Sequence, residues 1–126
     1  TAAVDYSSML TKSCTVNFVP DTAKFLDQAE AASTLNEFVE IAKTLDGAII
    51  QIEGNINQVG EESEAGKQLS YSRAQTVANY LTSQGIDGSR IVVIGNGNTK
   101  MIGDPNTEEG KIANRRTDVM FKMIEN

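Results

Sequence analysis

Short β-branched segments alternate with two long stretches of helical periodicity, and this alternation is the strongest restriction on the fold. Helical spacing of apolar residues extends from about Asp27 to Leu45 and again from Leu69 to Gln84. Gly47 and Gly85 close these two stretches, as glycine commonly does after a last helical turn. Strands are predicted at residues 15–19, 48–53, 91–94 and 117–123. The predicted order is therefore β-α-β-α-β-(loop or short helix)-β.

Two helices are enough to cover one face of a four-stranded sheet. The predicted fold class is therefore α+β, an α/β sandwich of two layers in which both helices pack on one face of a mixed sheet. The continuous apolar run at 91–94 predicts a buried strand. A length of 126 residues fits one domain, which we assign to residues 14–126 after an N-terminal lead-in at 1–13. Two long polar loops, 55–66 and 95–113, each follow a strand, and polar loops of this length in a small domain are either functional or disordered.

The composition excludes several classes of active site. The chain has no histidine, which rules out Ser-His-Asp triads, Cys-His pairs and histidine metal sites. The single cysteine, Cys14, has no partner for an internal disulfide and no base to activate it, so we expect an inert, partly buried thiol. With no pair of nucleophile and base and no metal cluster, the sequence predicts a protein that is not an enzyme and that needs no cofactor or metal.

Charge and motif spacing argue against several further kinds of partner and ligand. The net charge is −6 and the densest basic run is Arg115-Arg116, so we expect no nucleic-acid partner. No apolar run approaches 18 residues, and this segment is therefore not expected to cross a membrane. The run at 95–98 lacks the Lys-Ser/Thr of a phosphate loop, and the acidic spacing from Asp104 places its glycine one residue late for a calcium loop. Both are interpreted as turns.

Arg73 is the most informative charged residue. On a helical wheel it falls within the apolar stripe, among Leu69, Val77 and Tyr80. A charge at that position is costly unless it reaches the edge of the core or has a partner. Two interpretations follow: a structural arginine that reaches solvent or forms an internal ion pair, or a fixed guanidinium aimed at the carboxylate of a ligand.

The segment Asn114-Arg115-Arg116 directly precedes the last predicted strand. Taken alone, its two arginines indicate a solvated charge pair. Because neighbouring residues of a strand point to opposite faces, at most one of them is expected on the helix side of the sheet.

An ordered series of short motifs resembles the OmpA-like domain, of the type found in the C-terminal part of OmpA, in Pal and in MotB. The series comprises Val16-Asn17-Phe18, Ile52-Glu53-Gly54, Leu69-Ser70-Tyr71-Ser72-Arg73-Ala74, Gln84-Gly85-Ile86, Ser89-Arg90-Ile91, Gly95-Asn96-Gly97 and Asn114-Arg115-Arg116. Each piece is weak alone, but the combination is specific. The resemblance covers roughly residues 14 to 124.

This resemblance implies non-covalent binding of peptidoglycan through the diaminopimelate residue of its stem peptide. The family supplies an anion for the ligand's ammonium from the Asp of a G-H-T-D motif and a cation for its carboxylate from the Arg of L-S-x-x-R-A. Arg73 matches the cation, but the first motif here is Gly54-Asn55-Ile56-Asn57, so that a neutral Asn57 occupies the Asp position. Binding is therefore expected to be weakened or altered. The ligand-binding residues implied by the resemblance are Asn55, Ile56, Asn57, Gln58, Leu69, Ser70, Arg73, Asn114 and Arg115.

Two alternatives remain open on the sequence. The domain has a degenerate ligand site and acts as a structural or protein-interaction module of an envelope assembly, with the acidic segment 61–64 as a contact surface, or it binds another envelope ligand. Either way, the resemblance implies the extracytoplasmic cell envelope of a bacterium, in the periplasm or at the wall face of a membrane. It also implies that the full-length protein is membrane-anchored and has envelope proteins among its partners.

Overall fold

A computed structural model describes residues 6–122, and within them four strands form one mixed sheet. The strands are β1 (Ser13–Asn17), β2 (Ile50–Gly54), β3 (Ile91–Gly95) and β4 (Arg116–Phe121), in the spatial order β1-β4-β2-β3. Strand β4 is antiparallel to both of its neighbours, and β2 is parallel to β3. The predicted four-stranded mixed sheet is confirmed.

Two long helices cover one face of this sheet, as the periodicity predicts. They are α2 (Gln28–Thr44) and α3 (Glu64–Ser83). Each begins after a side chain that caps its first free amides: Asp27 accepts from the Glu30 amide at 3.0 Å and Ser63 from the Gly66 amide at 3.0 Å. The cap at Ser63 starts α3 five residues before the predicted Leu69, because the polar first turn of the helix carries no apolar periodicity.

Three shorter helices complete the described part of the chain. They are α1 (Tyr6–Leu10), a 3₁₀ turn (Gly88–Arg90) and α4 (Glu108–Asn114). Helix α4 confirms the short helix that was predicted as one possibility in the second polar loop. Helix α1 lies in the predicted lead-in, where the sequence shows no helical periodicity. The division at residue 14 remains a prediction, and β1 begins one residue before it.

The core lies between the two long helices and the sheet. Its fully buried members include Leu35, Phe38, Ile50, Ile52, Val77, Leu81 and Val119. The period-two face predicted for the last strand is confirmed, since Thr117, Val119 and Phe121 are buried, while Met123 lies outside the described residues. Phe38 of α2 stacks on Phe121 with ring centroids 4.6 Å apart.

The prediction that 91–94 forms a buried strand is wrong. Strand β3 stands at the edge of the sheet, where Val92 is 37% exposed and its apolar neighbours are half-buried. A continuous apolar run is typical of a strand covered on both faces, but here helices cover only one. Among the described helices, none is both long and apolar enough to span a membrane.

Helix α3 approaches the sheet most closely at two glycines. A Cβ atom at Gly54 would overlap the carbonyl oxygen of Ser70, and one at Gly95 would lie 2.9 Å from the Ser70 Oγ atom. Glycine is therefore required at the ends of β2 and β3, where the helix backbone rests on the sheet. This contact fixes the segment that follows β2 against the start of α3.

We expect Gly54→Ala to lower the free energy of unfolding by about 3 kcal/mol, because a methyl group there must push α3 away from β2. Urea unfolding followed by circular dichroism measures the loss. Gly88→Ala is the matched control, since the nearest atom to a Cβ at Gly88 is 4.0 Å away. Equal stability of the two variants would show that the helix can shift at little cost.

Candidate functional site

A cavity of about 290 Å³ opens where the turn after β1, the segment after β2 and the first turns of α3 meet. This volume is near the lower end of the range for small-molecule sites, roughly 300–1,000 Å³. Six of the nine sequence-predicted residues line it: Ile56, Asn57, Gln58, Leu69, Arg73 and Arg115. The fold therefore brings most of the predicted set together at one place.

The Arg73 guanidinium donates three hydrogen bonds to backbone carbonyls. Its Nε donates to Thr22 at 2.8 Å, Nη1 to Asn55 at 2.9 Å and Nη2 to Val19 at 3.2 Å. A guanidinium carries five N–H groups. One N–H on each Nη atom therefore has no acceptor among residues 6–122, and both belong to a side chain that lines the cavity.

Neither of the two structural forms predicted for Arg73, an arginine that reaches solvent or an internal ion pair, is found among residues 6–122. The residue is only 1% exposed, so it does not reach solvent, and no carboxylate among the described residues lies within ion-pair distance of it. Burial, together with the nearby charge of Arg115, lowers the pKa of Arg73 to about 10, while the charge of Asp21 acts in the opposite direction. At neutral pH the group is thus a buried cation with no carboxylate in direct contact with it among residues 6–122.

Three predicted residues support the cavity from behind and do not line it. Ser70 Oγ donates to the Lys67 carbonyl at 2.7 Å and accepts from the Gly97 amide at 2.8 Å, which ties α3 to the loop after β3. Asn55 is buried and donates to the Glu53 carbonyl at 3.0 Å, and its own carbonyl receives Arg73. The third of these supporting residues is Asn114, which donates to Asn57 of the cavity wall.

Asn114 and Asn57 form a chain of amide groups with a fixed direction. The Asn114 oxygen accepts the backbone amides of Ile102 and Gly103, each at 2.8 Å, so its Nδ2 must face the other way. That Nδ2 donates to the Asn57 oxygen at 2.9 Å, and the Asn57 Nδ2 then points to the Pro105 carbonyl at 3.4 Å. An aspartate at position 57 would place a negatively charged oxygen against the Pro105 carbonyl oxygen. An asparagine can donate to that carbonyl and therefore suits this loop.

Several groups around the cavity favour an anion. The backbone amides of Asn57 and Gln58 have no acceptor within residues 6–122, whereas those of Asn55 and Ile56 are already bonded inside the protein. The first turn of the 20-residue helix α3 forms part of the wall through Ser63, Ala65 and Gly66, and a helix N-terminus carries partial positive charge. With Arg73 and Arg115, this arrangement is suited to a carboxylate.

The interpretation of Arg115-Arg116 as a solvated pair is wrong. Arg115 is half-buried and lines the cavity, while Arg116 is only 4% exposed. Arg116 Nε donates to both oxygens of Asp118, at 3.2 and 3.1 Å, and Nη2 donates to the Lys100 carbonyl at 2.9 Å. The two arginines serve different parts of the molecule, one the cavity and the other the loop after β3.

Glu53 holds the same loop from the open face of the sheet. Its Oε1 accepts from Lys100 Nζ at 2.8 Å and Asn96 Nδ2 at 2.9 Å, and its Oε2 accepts from Gln51 at 3.1 Å. Burial alone would raise the pKa of the Glu53 carboxyl, but these hydrogen bonds and the Lys100 charge outweigh it and lower the pKa below its usual range. Glu53 is therefore ionised at neutral pH and clamps the loop.

Sequence reasoning missed Asp21, which also lines the cavity. Pro20-Asp21 predicts a turn, and the turn is present, with the Thr22 amide donating to the Val19 carbonyl at 3.2 Å. Nothing in the sequence shows that this turn returns to α3, because that contact depends on Arg73. Cys14 is half-buried as expected, and burial with the charges of Asp118 and Glu37 raises its pKa to about 12.

Comparison with known proteins gives consistent matches. The model of the OmpA family matches residues 17–115. The chain is 36% identical over 90 residues to outer membrane protein A of Bordetella avium, covering 71% of this chain and 46% of that protein. It is 33% identical over 86 residues to the peptidoglycan-binding protein ArfA of Mycobacterium bovis, covering 68% of this chain and 26% of that protein. The chain spans less than half of either relative.

Solved structures share the architecture. The peptidoglycan-associated lipoprotein of Burkholderia pseudomallei has a TM-score of 0.77 at 26% identity, covering 94% of this chain and 97% of that one. The cell wall anchor of the type VI secretion system of Pseudomonas aeruginosa has a TM-score of 0.69 at 18% identity, covering 94% and 92%. At 18% identity, the match to the cell wall anchor shows similarity of fold alone. Together these matches confirm the predicted α+β fold.

We expect Asn114→Ala to lower the free energy of unfolding by about 3 kcal/mol, because it leaves the amides of Ile102 and Gly103 and the Asn57 oxygen without their partner. Thermal and urea unfolding measure this. Asn106→Ala, in the same loop but exposed, should cost less than about 0.5 kcal/mol. Similar losses in both variants would contradict the bracing role of Asn114.

The Glu53 clamp should make stability depend on pH with a definite sign. A carboxyl whose pKa is lowered by folding stabilises the native state above its unfolded pKa, and that contribution disappears as the pH falls through the folded value. We expect Glu53→Gln to be less stable than the parent at pH 7 and to lose less stability between about pH 5 and pH 3. Urea titrations across that range provide the comparison, and parallel pH profiles of the two proteins would refute the clamp.

Proposed function

Since the chain belongs to the OmpA family, we propose that it binds the stem peptide of peptidoglycan without covalent chemistry and so anchors a cell-envelope protein to the wall. Relatives named outer membrane protein A and probable lipoprotein YiaD bear out its predicted location in the cell envelope. Relatives and neighbours named for peptidoglycan binding, peptidoglycan association and wall anchoring support the choice of ligand.

The observation that carries this proposal is the unneutralised guanidinium of Arg73. The protein buries this cation, which donates to three backbone carbonyls and lines the cavity, and two of its five N–H groups have no acceptor among residues 6–122. The planar guanidinium of arginine is suited to the two oxygens of a carboxylate. Since the protein has already ordered the group, a ligand does not bear that entropic cost.

The finer part of the proposal concerns the stem-peptide residue. A diaminopimelate side chain ends in a carboxylate and an ammonium on one carbon atom. Its carboxylate would meet Arg73, Arg115 and the N-terminus of α3, while Ile56 and Leu69 supply apolar wall for the methylene chain. Asn57 offers only a neutral contact, and a neutral hydrogen bond in place of a charged one suggests about tenfold weaker binding than an aspartate would give.

We expect the purified protein to co-sediment with diaminopimelate-type peptidoglycan sacculi and Arg73→Ala to lose this binding. Because Arg73 also holds three carbonyls, Ala65→Trp is the second variant. Ala65 is exposed in the first turn of α3 and lines the cavity, so an indole there should block the site without disturbing the core. Circular dichroism and thermal unfolding verify that each variant is folded.

The matched control for the blocking variant is Gln68→Trp, one turn along α3 at an exposed residue outside the cavity wall. It should bind as the parent does. Failure of the parent to co-sediment would overturn the proposal in favour of a structural or protein-interaction module. Binding that survives both Arg73→Ala and Ala65→Trp would move the site elsewhere on the molecule.

A further inference from the structure

We propose that Asp21 supplies the anion that receives the ligand's ammonium group, in the place of the aspartate that the motif after β2 lacks. This inference rests on the proposed function, because it concerns one end of the same ligand. It assigns a specificity-determining role to a residue of the β1–α2 turn.

The position of Asp21 supports this role. Its turn provides two of the three carbonyls that hold Arg73, those of Val19 and Thr22, so Asp21 lies between two residues that touch the guanidinium. It lines the same cavity as Arg73 and Arg115. One cavity is thus lined by an anion and two cations, and a carbon that bears both a carboxylate and an ammonium group requires partners of both signs.

The Asp21 carboxylate has no other task in the described structure. Within residues 6–122 no hydrogen bond or ion pair engages it, although the side chain is exposed on the cavity wall. Other aspartates of the chain do structural work, since Asp27 caps α2 and Asp118 pairs with Arg116. Asp21 remains free to receive a ligand.

The backbone at Asp21 adopts an uncommon turn conformation. It is the one residue other than glycine described with a positive φ, 59°. Pro20 before it and the bond from the Thr22 amide to the Val19 carbonyl fit a type II turn, whose third residue is favoured to be glycine or asparagine. Aspartate, like asparagine, tolerates this conformation better than most residues do, so the turn can present a carboxylate at this position.

Asn57 is poorly placed to do the same work. Its oxygen already accepts from Asn114, and its amide nitrogen is directed to the Pro105 carbonyl. It carries no charge and its orientation is fixed by the loop. With Asp21, the cavity wall has one carboxylate and two guanidinium groups, so it can match a zwitterionic end group and retain a net positive charge for the rest of an acidic stem peptide.

The test removes one charge from the ligand and, separately, one charge from the protein. Isothermal titration calorimetry compares the tripeptide L-Ala-γ-D-Glu-meso-diaminopimelate with the same peptide carrying 2-aminopimelate, which keeps the terminal carboxylate but lacks the ammonium. The variant is Asp21→Asn, since asparagine keeps the size of the side chain and tolerates a positive φ. Asp46→Asn, at an exposed residue beyond the cavity, is the matched control for net charge.

We expect Asp21→Asn to weaken binding of the diaminopimelate peptide about tenfold and to change binding of the 2-aminopimelate peptide by less than about twofold. Asp46→Asn should change neither. If the parent binds and Asp21→Asn binds the diaminopimelate peptide equally well, this inference is overturned alone. Equal weakening toward both peptides also overturns it, since Asp21 would then only shape the cavity. No binding by the parent overturns the proposed function, and this inference with it.

Discussion

A single buried guanidinium connects the parts of this molecule that form its site. Arg73 projects from α3 and reaches carbonyls of the turn after β1 and of the segment after β2, which are more than 30 positions apart in the sequence. The Phe18 ring lies 5.5 Å from its Cζ atom and adds a favourable face for the cation. Because hydrogen bonds to a charged donor are stronger than neutral ones, this residue organises both walls of the cavity. The structural role of this side chain is therefore inseparable from the ligand-binding role that we propose for it.

The second constraint is the directed chain of amides from Ile102 and Gly103 through Asn114 to Asn57 and Pro105. Each side-chain amide has one accepting and one donating end. The backbone amides of Ile102 and Gly103 therefore fix the orientation of Asn114, which in turn fixes the orientation of Asn57 at the cavity. The loop after β3 consequently dictates which residue is suitable at position 57. The departure from the family's Gly-His-Thr-Asp motif is thus a local structural fit as well as a change in the charge offered to a ligand.

The sequence predicted the features that have local signals. Element order, the closing glycines and the anomalous charge of Arg73 all follow from periodicity and composition. Features that depend on distant contacts were missed: β3 is an edge strand because of the order of the strands, and Arg116 is buried because Lys100 and Asp118 meet it there. Asp21 was missed for the same reason, since a Pro-Asp turn is ordinary until a residue 52 positions later in the sequence brings it to a cavity. The set of implied ligand residues likewise mixed two kinds, those that line the cavity and those, such as Asn55 and Ser70, that position them.

The distribution of charge relates the site to the rest of the chain. A net charge of −6 would repel an acidic ligand at long range, but screening confines that repulsion to roughly 10 Å at ordinary ionic strength. At close range the balance reverses, because Arg73, Arg115 and the N-terminus of α3 converge on one cavity. A cation in such a place is costly to desolvate, and a chain selected for stability alone would replace Arg73 with an apolar residue that fits the stripe between Leu69 and Val77. The chain retains the arginine, and two of its N–H donors have no acceptor in the described part of the chain. An aspartate whose carboxylate has no hydrogen bond or ion pair among the described residues lies on the same cavity wall. A ligand that accepts from the guanidinium and donates to the carboxylate would supply a partner to both groups, which is the arrangement that we propose for this site.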